Sequence, residues 1–346
     1  KAERHTVEKF AKNASLMGPN SIGKTVQIIE KTLDGSKMVC LDDTDISKVG
    51  IPKVRLNPTV GIVEIASGCM SECTFCQTKL AKGDLKSYRI GDIVRQVKTE
   101  LADGCKEIWL SSTDNGCYGL DIREDLSSLI NNVSEIPGEF RIRVGMLNPM
   151  YMPRIKNNLL KSFENYKVFR FLHVPVQSGS NNVLNNMKRG HTVETFKNVV
   201  KEFRTKFGPF TISTDIIVGY PTETEEDFQE TVKLLKETRP DIINLARYSR
   251  RPGTVAAEMP QLNIAKVKRR SKQITDIVND ISLENNKKWI GWKGKVLFDE
   301  YTNGQIKGRN FAYKPIFVEN DAKLDQISTV LITNATNHSL VGEIAS

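Results

Sequence analysis

Three cysteines crowd one short stretch, Gly68-Cys69-Met70-Ser71-Glu72-Cys73-Thr74-Phe75-Cys76, with the spacing Cys-x3-Cys-x2-Cys. The stretch directly follows an apolar, β-branched run at Gly61–Ala66, so it belongs where a strand ends and a loop begins. Thiolates suit iron–sulfur clusters, and a cubane has four irons to ligate. Three thiolates on one loop bind three irons and leave the fourth open. An open iron can chelate the amino and carboxylate groups of a small molecule. Zinc is the competing reading, but a tetrahedral zinc site wants a fourth Cys or His close by. The later candidates, Cys105, Cys117, His173 and His191, stand at no zinc-ligand spacing. A [4Fe–4S] cluster on Cys69, Cys73 and Cys76 is therefore the expectation.

The remaining cysteines, Cys40, Cys105 and Cys117, are scattered through a chain of 346 residues whose start carries no apolar signal core. That fits a reduced, cytoplasmic protein with a metal site better than a disulfide scaffold. No run of about 18 apolar residues occurs, so no membrane helix is expected. The first residue is Lys1, so the chain is expected to begin inside a longer protein. Lys and Arg number 50 against 41 Asp and Glu, a net charge of +9. The excess concentrates at Lys266, Lys268, Arg269, Arg270 and Lys272, and then at Lys287, Lys288, Lys293 and Lys295. Two readings stand side by side: a solvated helix face, or a patch facing RNA. Oligomeric state is not legible in the sequence.

The elements that must carry the cysteine loop alternate in kind. Apolar runs at Gly61–Ala66, Glu107–Leu110, Phe140–Met146, Val168–Val174, Thr211–Val218 and Ile242–Ala246 read as strands. Helical patterns separate them at Ile90–Leu101, Leu126–Val133, Met152–Phe163, Thr192–Phe207, Thr224–Leu235 and Ile264–Leu283. Six such units imply an α/β fold with parallel strands, either a partial (β/α)6 barrel or an open doubly wound sheet. After about residue 288 the helical period stops. Short strands at Lys295–Phe298, Lys314–Val318, Thr329–Ile332 and Ser339–Val341 suggest a small, all-β barrel of oligonucleotide-binding type. Before the barrel come a helix, a turn, a second helix (Val26 to Lys31) and a strand, Met38–Leu41, followed by a polar linker.

Gly18-Pro19-Asn20-Ser21-Ile22-Gly23-Lys24-Thr25 also satisfies the phosphate-loop pattern G-x4-G-K-[ST]. A true phosphate loop needs a core strand before it and a separate acidic strand for Mg²⁺. Met38–Asp42 ends in an acid but arrives only a turn or so after the helix, so the match reads as coincidence.

Cys-x3-Cys-x2-Cys after a first barrel strand resembles the signature of the radical-SAM enzymes. The downstream text resembles one branch of them, the methylthiotransferases. Matching stretches are Glu107-Ile108-Trp109-Leu110-Ser111-Ser112-Thr113-Asp114 and Arg143-Val144-Gly145-Met146-Leu147-Asn148-Pro149. Others are His173-Val174-Pro175-Val176-Gln177-Ser178-Gly179-Ser180, Met187-Lys188-Arg189, Thr214 through Thr224, and Arg251-Pro252-Gly253-Thr254. They look most similar to the archaeal and eukaryotic enzymes that methylthiolate threonylcarbamoyl-adenosine at position 37 of tRNA. The resemblance covers roughly residue 18 to the end. It implies a remnant of an N-terminal domain at 1–43, a linker at 44–58, a partial TIM-type barrel at 59–287 and a TRAM domain gripping RNA at 288–346.

The same resemblance implies S-adenosylmethionine as the molecule chelated by the open iron. Ser111, Ser112 and Asp114 would then lie at a strand end, where such enzymes hold the methionine amino group. A helix N-cap is the plainer role for that stretch. Gln177 and Ser178 fall in a region of cofactor contacts, and Phe75 would pack near the adenine. Arg189 could pair with the methionine carboxylate, or anchor an RNA phosphate. Arg143, His173, Lys266, Arg269, Arg270 and Lys293 are candidate substrate contacts, although a lone His at a strand end is more often a wall residue. Asp215, mid-strand, reads equally as a structural carboxylate. The acidic run Glu223, Glu225, Glu226 and Asp227 reads as a complement to a helix dipole.

Complete methylthiotransferases carry three further cysteines for an auxiliary [4Fe–4S] cluster, the site of sulfur insertion, in an N-terminal domain. Here residues 1–58 match only the tail of that domain. The expectation is a chain that binds S-adenosylmethionine and tRNA, draws on an external electron donor, and does not complete turnover alone. Two rival readings remain at this stage. One is methylthiolation of a ribosomal-protein aspartate, and the other is a non-catalytic iron–sulfur protein that binds RNA.

Overall fold

The computed structural model of the chain describes residues 4–41, 47–302, 304–318 and 322–345. Asp42 and the first part of the expected linker, 44–46, lie outside the described residues.

At the N-terminal end, α1 (Arg4–Phe10), β1 (Leu16–Met17), α2 (Thr25–Leu33) and β2 (Val39–Cys40) follow in order. β1 and β2 pair in parallel, Leu16 opposite Val39. Two residues of strand thus do precede the Gly18–Thr25 loop, but Met17 is 45% exposed. β1 is not the buried core strand from which a phosphate loop hangs.

The next strands are β3 (Val60–Glu64), the short antiparallel pair β4 (Ala66–Ser67) and β5 (Lys86–Ser87), then β6 (Glu107–Ser111), β7 (Arg141–Val144), β8 (Phe171–His173), β9 (Thr211–Val218) and β10 (Ile242–Arg247). Helices intervene: α3 (Thr78–Lys82), α4 (Ile90–Ala102), α5 (Leu126–Ser134), α6 (Met152–Ser162), α7 (Asn181–Asn186), α8 (Val193–Phe207), α9 (Glu225–Thr238) and α10 (Ile264–Lys287). The large strands form two parallel trios, β3-β6-β7 and β8-β9-β10, joined by a parallel bridge from Ile142 to Val168. The result is a six-stranded partial barrel, which settles the choice between barrel and open sheet. Each of the six expected strands and helices is present within a few residues of its expected bounds.

Pleating decides which residues line the inside. Ile108, Leu110, Ile142, Val144, Leu172, Ile212, Ile216 and Val218 are all at most 1% exposed and face the helices, in one core with Val97, Ile130, Leu159, Phe203 and Leu235. Their alternates, Trp109, Arg143, His173 and Asp215, face the lumen. Helix starts are capped by side chains that accept from the first-turn amides: Asp125 from Ser128 (3.0 Å), Thr192 from Thr195 (3.3 Å) and Asn263 from Ala265 (2.8 Å). Thr224 and Asp227 exchange hydrogen bonds in a capping box at α9.

The C-terminal strands are β11 (Lys293–Thr302), β12 (Gln305–Arg309), β13 (Pro315–Val318), β14 (Ile327–Ala335) and β15 (Leu340–Ile344). They close into a barrel in the order β11-β12-β13-β15-β14, around Val296, Phe298, Ile306, Ile316, Val330 and Ile332. β12 is the strand not expected from sequence. Its text, Gln305-Ile306-Lys307-Gly308-Arg309, has a single large apolar residue to show the alternation.

This small barrel seals the floor of the large one. Tyr313, held at φ +61°, places its ring 4.9 Å from Phe169 and 5.0 Å from Phe171. Lys314 reaches Asp241 and Asn286 at 3.0 Å each, and Asn57 donates to the Asp299 carbonyl at 2.7 Å. Among the described residues no helix is long and apolar enough to cross a membrane.

Candidate functional site

The cysteine loop leaves β4 through Gly68, at φ +72°. A Cβ there would stand 1.9 Å from the Asp84 carbonyl oxygen, so only glycine fits. The loop is pinned from several sides. Cys69 N–H donates to the Gly83 carbonyl (3.3 Å), and Thr74 N–H to the Met187 carbonyl at the end of α7 (3.1 Å). The Thr74 hydroxyl pairs with Tyr220 Oη at 2.8 Å. All six cysteines are free.

Cys69, Cys73 and Cys76 open onto one cavity of about 600 Å³ at the C-terminal ends of the strands. Among the described residues no three of His, Cys, Asp and Glu converge on a point where a single ion could sit. A cubane does not ask for that, because each thiolate takes a different iron and the sulfurs stand apart by the width of the cluster. The sulfurs are already cradled by donors. Ser71 N–H points at Cys69 Sγ (3.3 Å), Thr78 N–H at Cys76 Sγ (3.4 Å) and Arg189 Nη1 at Cys73 Sγ (3.2 Å). A hydrogen bond from the Cys117 thiol, aided by Ser71, draws the Cys69 thiol down to about 5 despite its burial. Burial pushes the Cys73 thiol up, against the pull of Arg189.

Four other expected cofactor contacts line the same cavity: Phe75, Asp114, Gln177 and Arg189. Asp114 Oδ1 accepts the backbone amides of Gly116 (2.9 Å) and Asn148 (3.0 Å). Burial nonetheless raises its carboxyl to about 6. Gln177 sits at φ +74°, a left-handed backbone that a non-glycine residue adopts at a cost. Three buried polar atoms on this cavity have no hydrogen-bond partner: Thr113 Oγ1, Gln177 Oε1 and Arg189 Nε. A donor and two acceptors left open around three thiols fit an iron–sulfur cluster with an amino-acid-bearing ligand. Thr113, Asn148, Ser71, Met146, Thr78 and Lys79 complete the wall and carry no role in the sequence reading. For Thr113 and Asn148 the available signal is position, in the loops just beyond the C-terminal ends of β6 and β7.

Other expected contacts lie elsewhere. Ser178 is fully buried and turned against Thr231 of α9 (3.4 Å), so it does not face the cavity. Ser112 is engaged with Asn115 Oδ1 (2.6 Å), and Ser111 lies in the β6 ladder opposite Glu64. Arg143 is boxed by aromatic rings, its guanidinium 4.8 Å from Trp109, 5.0 Å from Phe171 and 5.3 Å from Tyr313. It is a strut of the barrel floor, not a cavity wall. His173 Nε2 meets Asp215 Oδ1 at 2.9 Å, and Asn244 donates to the same oxygen at 2.8 Å. Burial would push the Asp215 carboxyl up, but His173 and Asn244 overcome it and hold it below its ordinary value.

Of the basic stretch, Arg270 cannot reach a polyanion. It is 0% exposed, paired with Glu223 at 2.5 Å and with the Thr224 carbonyl at 2.7 Å. Arg269 is exposed but paired with Glu225 (3.0 Å), Lys266 is half-buried, and Lys293 is exposed at the start of β11.

A model of the radical SAM superfamily matches residues 63–235. A protein of Pyrococcus horikoshii named "Probable threonylcarbamoyladenosine tRNA methylthiotransferase" is 42% identical over 335 residues, 96% of this chain and 79% of its own. The threonylcarbamoyladenosine tRNA methylthiotransferase of Drosophila pseudoobscura pseudoobscura is 38% identical, over 97% of this chain and 62% of its own. Among solved structures, the cobalamin-dependent S-adenosylmethionine radical enzyme OxsB superposes with a TM-score of 0.53 at 13% identity, covering 80% of this chain and 42% of that one. That last likeness concerns the fold alone.

Proposed function

This chain belongs to the radical SAM superfamily, among the threonylcarbamoyladenosine tRNA methylthiotransferases, and from that premise we propose that it places a methylthio group at C2 of N6-threonylcarbamoyladenosine 37 of tRNA. The carrying observation is the convergence of Cys69, Cys73 and Cys76 with three unpartnered polar atoms on one cavity.

In this reading the three thiolates hold three irons of a [4Fe–4S] cluster, and S-adenosylmethionine fills the rest of the cavity. When bound, the pair supplies one-electron chemistry able to break a C–H bond that has no acidity for a base to use. The chain's own residues bind and orient. Asp114 and the Thr113 hydroxyl face an ammonium as acceptors. Arg189 keeps Nε free for a carboxylate while its two terminal nitrogens are committed to Cys73 Sγ and the Pro175 carbonyl. Phe75 flanks the cavity as the surface for an adenine ring, and Gln177 offers its carbonyl oxygen. The phenol of Tyr220 and hydroxyl of Thr74 keep the cysteine loop in place without touching the ligand.

The closed C-terminal barrel is read as the TRAM unit that grips RNA, supported by exposed Lys287, Lys288, Lys293 and Lys295 at its root. An external one-electron donor and a cytoplasmic setting belong to the same reading. The sulfur-bearing auxiliary cluster is assigned to residues other than Cys40, Cys105 and Cys117. Cys105 packs near Pro58 and Glu100, Cys117 lies behind Cys69, and Cys40 sits in β2.

Anaerobic reconstitution with iron and sulfide, then reduction in the presence of S-adenosylmethionine, tests the reading. Release of 5′-deoxyadenosine is expected, and Cys69→Ala, Cys73→Ala and Cys76→Ala should each abolish it. No release from a fully loaded protein would return the chain to the non-catalytic RNA-binding reading.

A further inference from the structure

A second groove, of about 720 Å³, opens at the upper ends of β9 and β10 and shares Phe75, Cys76 and Thr78 with the cofactor cavity. Ile217 and Ala246 form its apolar wall, and Arg247, Tyr248 and Arg251 its polar one. Arg247 and Arg251 are exposed. Among the described residues neither guanidinium is engaged in an ion pair or hydrogen bond, in contrast to Arg250, which leans on Glu258 at 3.8 Å. Tyr248 Oη is buried and makes no hydrogen bond of ordinary geometry, though Gln261 lies close enough to act on it.

Charge separates this groove from the lumen beside it. Two residues before Ile217 on the same face of β9 is Asp215, held ionised by His173 and Asn244. Arg143 and Arg189 also face the interior, but both are engaged there, Arg143 among aromatic rings and Arg189 at Cys73 and Pro175. Beside Asp215 an anionic group of a bound substrate is repelled, and the groove at the rim offers it two unpaired guanidinium forks and a phenol. Arg suits a planar or tetrahedral oxyanion because two N–H donors reach it together. Threonylcarbamoyladenosine carries such a group, the threonine carboxylate, and RNA carries another, the phosphates flanking the base.

We propose that Arg247 and Arg251, with the Tyr248 hydroxyl, form an oxyanion subsite that holds the substrate nucleotide against the cofactor cavity. The proposal rests on the tRNA reading above. Anticodon stem–loop RNAs bearing threonylcarbamoyladenosine or plain adenosine at the target position are titrated against the cluster-loaded chain, in parallel with Arg247→Ala and Arg251→Ala. Arg95→Ala, on the exposed face of α4, controls for loss of any positive charge. Each groove substitution is expected to weaken binding of the threonylcarbamoyl RNA roughly ten-fold. Loss confined to that RNA identifies the carboxylate as the bound group. Equal loss for both RNAs, with the salt dependence shallower by about one ion, identifies a phosphate. Either outcome supports the subsite. Binding unchanged for both RNAs, or weakened as much by Arg95→Ala, overturns it. Failure of the unaltered chain to bind either RNA takes down the tRNA reading and the subsite with it.

Discussion

Arg189 has three jobs for one guanidinium: it donates to a cluster-facing sulfur, to the Pro175 carbonyl, and presents Nε to the cavity. A lysine keeps the charge but has no fork, so it can meet one of these partners at a time. Arg189→Lys is expected to weaken S-adenosylmethionine binding by about ten-fold or more in equilibrium titration of the loaded protein. Unaltered affinity would remove Arg189 from the site. At this scale the sequence was readable where chemistry depends on fixed spacing. Cys69, Cys73 and Cys76 lie within eight positions and announce themselves. Thr113 and Asn148 do not, because they meet the cysteines only after three strands lie side by side. Ser178 was misread for a local reason. Both residues lie beyond β8, in a loop without strand periodicity, where Gln177 takes a left-handed backbone and lines the cavity while its neighbour Ser178 turns to Thr231 of α9.

Periodicity is strong when an element is long and buried on one face, and the six barrel strands and their helices were legible for that reason. What periodicity cannot show is which charge on a helix finds a buried partner. In the stretch Lys266–Lys272 one charged residue, Arg270, is fully buried and meets Glu223 inside the molecule. Removing the guanidinium leaves a carboxylate in the interior, one already pushed up by burial. Arg270→Ala is expected to cost about 3–5 kcal/mol in denaturant unfolding, while Arg270→Met with Glu223→Leu should recover most of it. A loss under 1 kcal/mol for the single change would show that the pair does not hold α10 to α9. The start of α9 is a separate and smaller contribution. Thr224→Ala removes half of the capping box and should cost about 1 kcal/mol.

The two barrels meet over a group of charges that neither could bury alone. Glu107 starts β6, is 0% exposed, and accepts from the Trp109 indole. Asp299 and Arg309 face it from the small barrel, paired to one another at 3.3 Å, and Arg143 and Tyr313 close the group. Burial, reinforced by Asp299, raises the Glu107 carboxyl from 4.5 to about 7. A carboxyl raised on folding favours the native state only while it is protonated. Its contribution is complete below about pH 4.5 and lost as pH climbs through about 7. Relative to the parent, Glu107→Gln should therefore flatten that limb of the stability curve and gain stability above pH 7. Parallel pH curves for the two proteins would contradict this.

Tyr313 carries a consequence for the order in which the molecule comes into being. Synthesis delivers a chain N-terminus first, and domains tend to fold as they emerge. All six strands of the large barrel are complete at residue 247, yet the ring that stops its base lies 66 residues later, in the small barrel. A nascent chain can therefore assemble the wall and the cysteine loop while Glu107, Arg143 and three aromatic side chains still look out through an open bottom. The enzyme is a vessel that receives its base last, and a ribosome paused before Tyr313 would hold a barrel complete in outline and unable to keep water out.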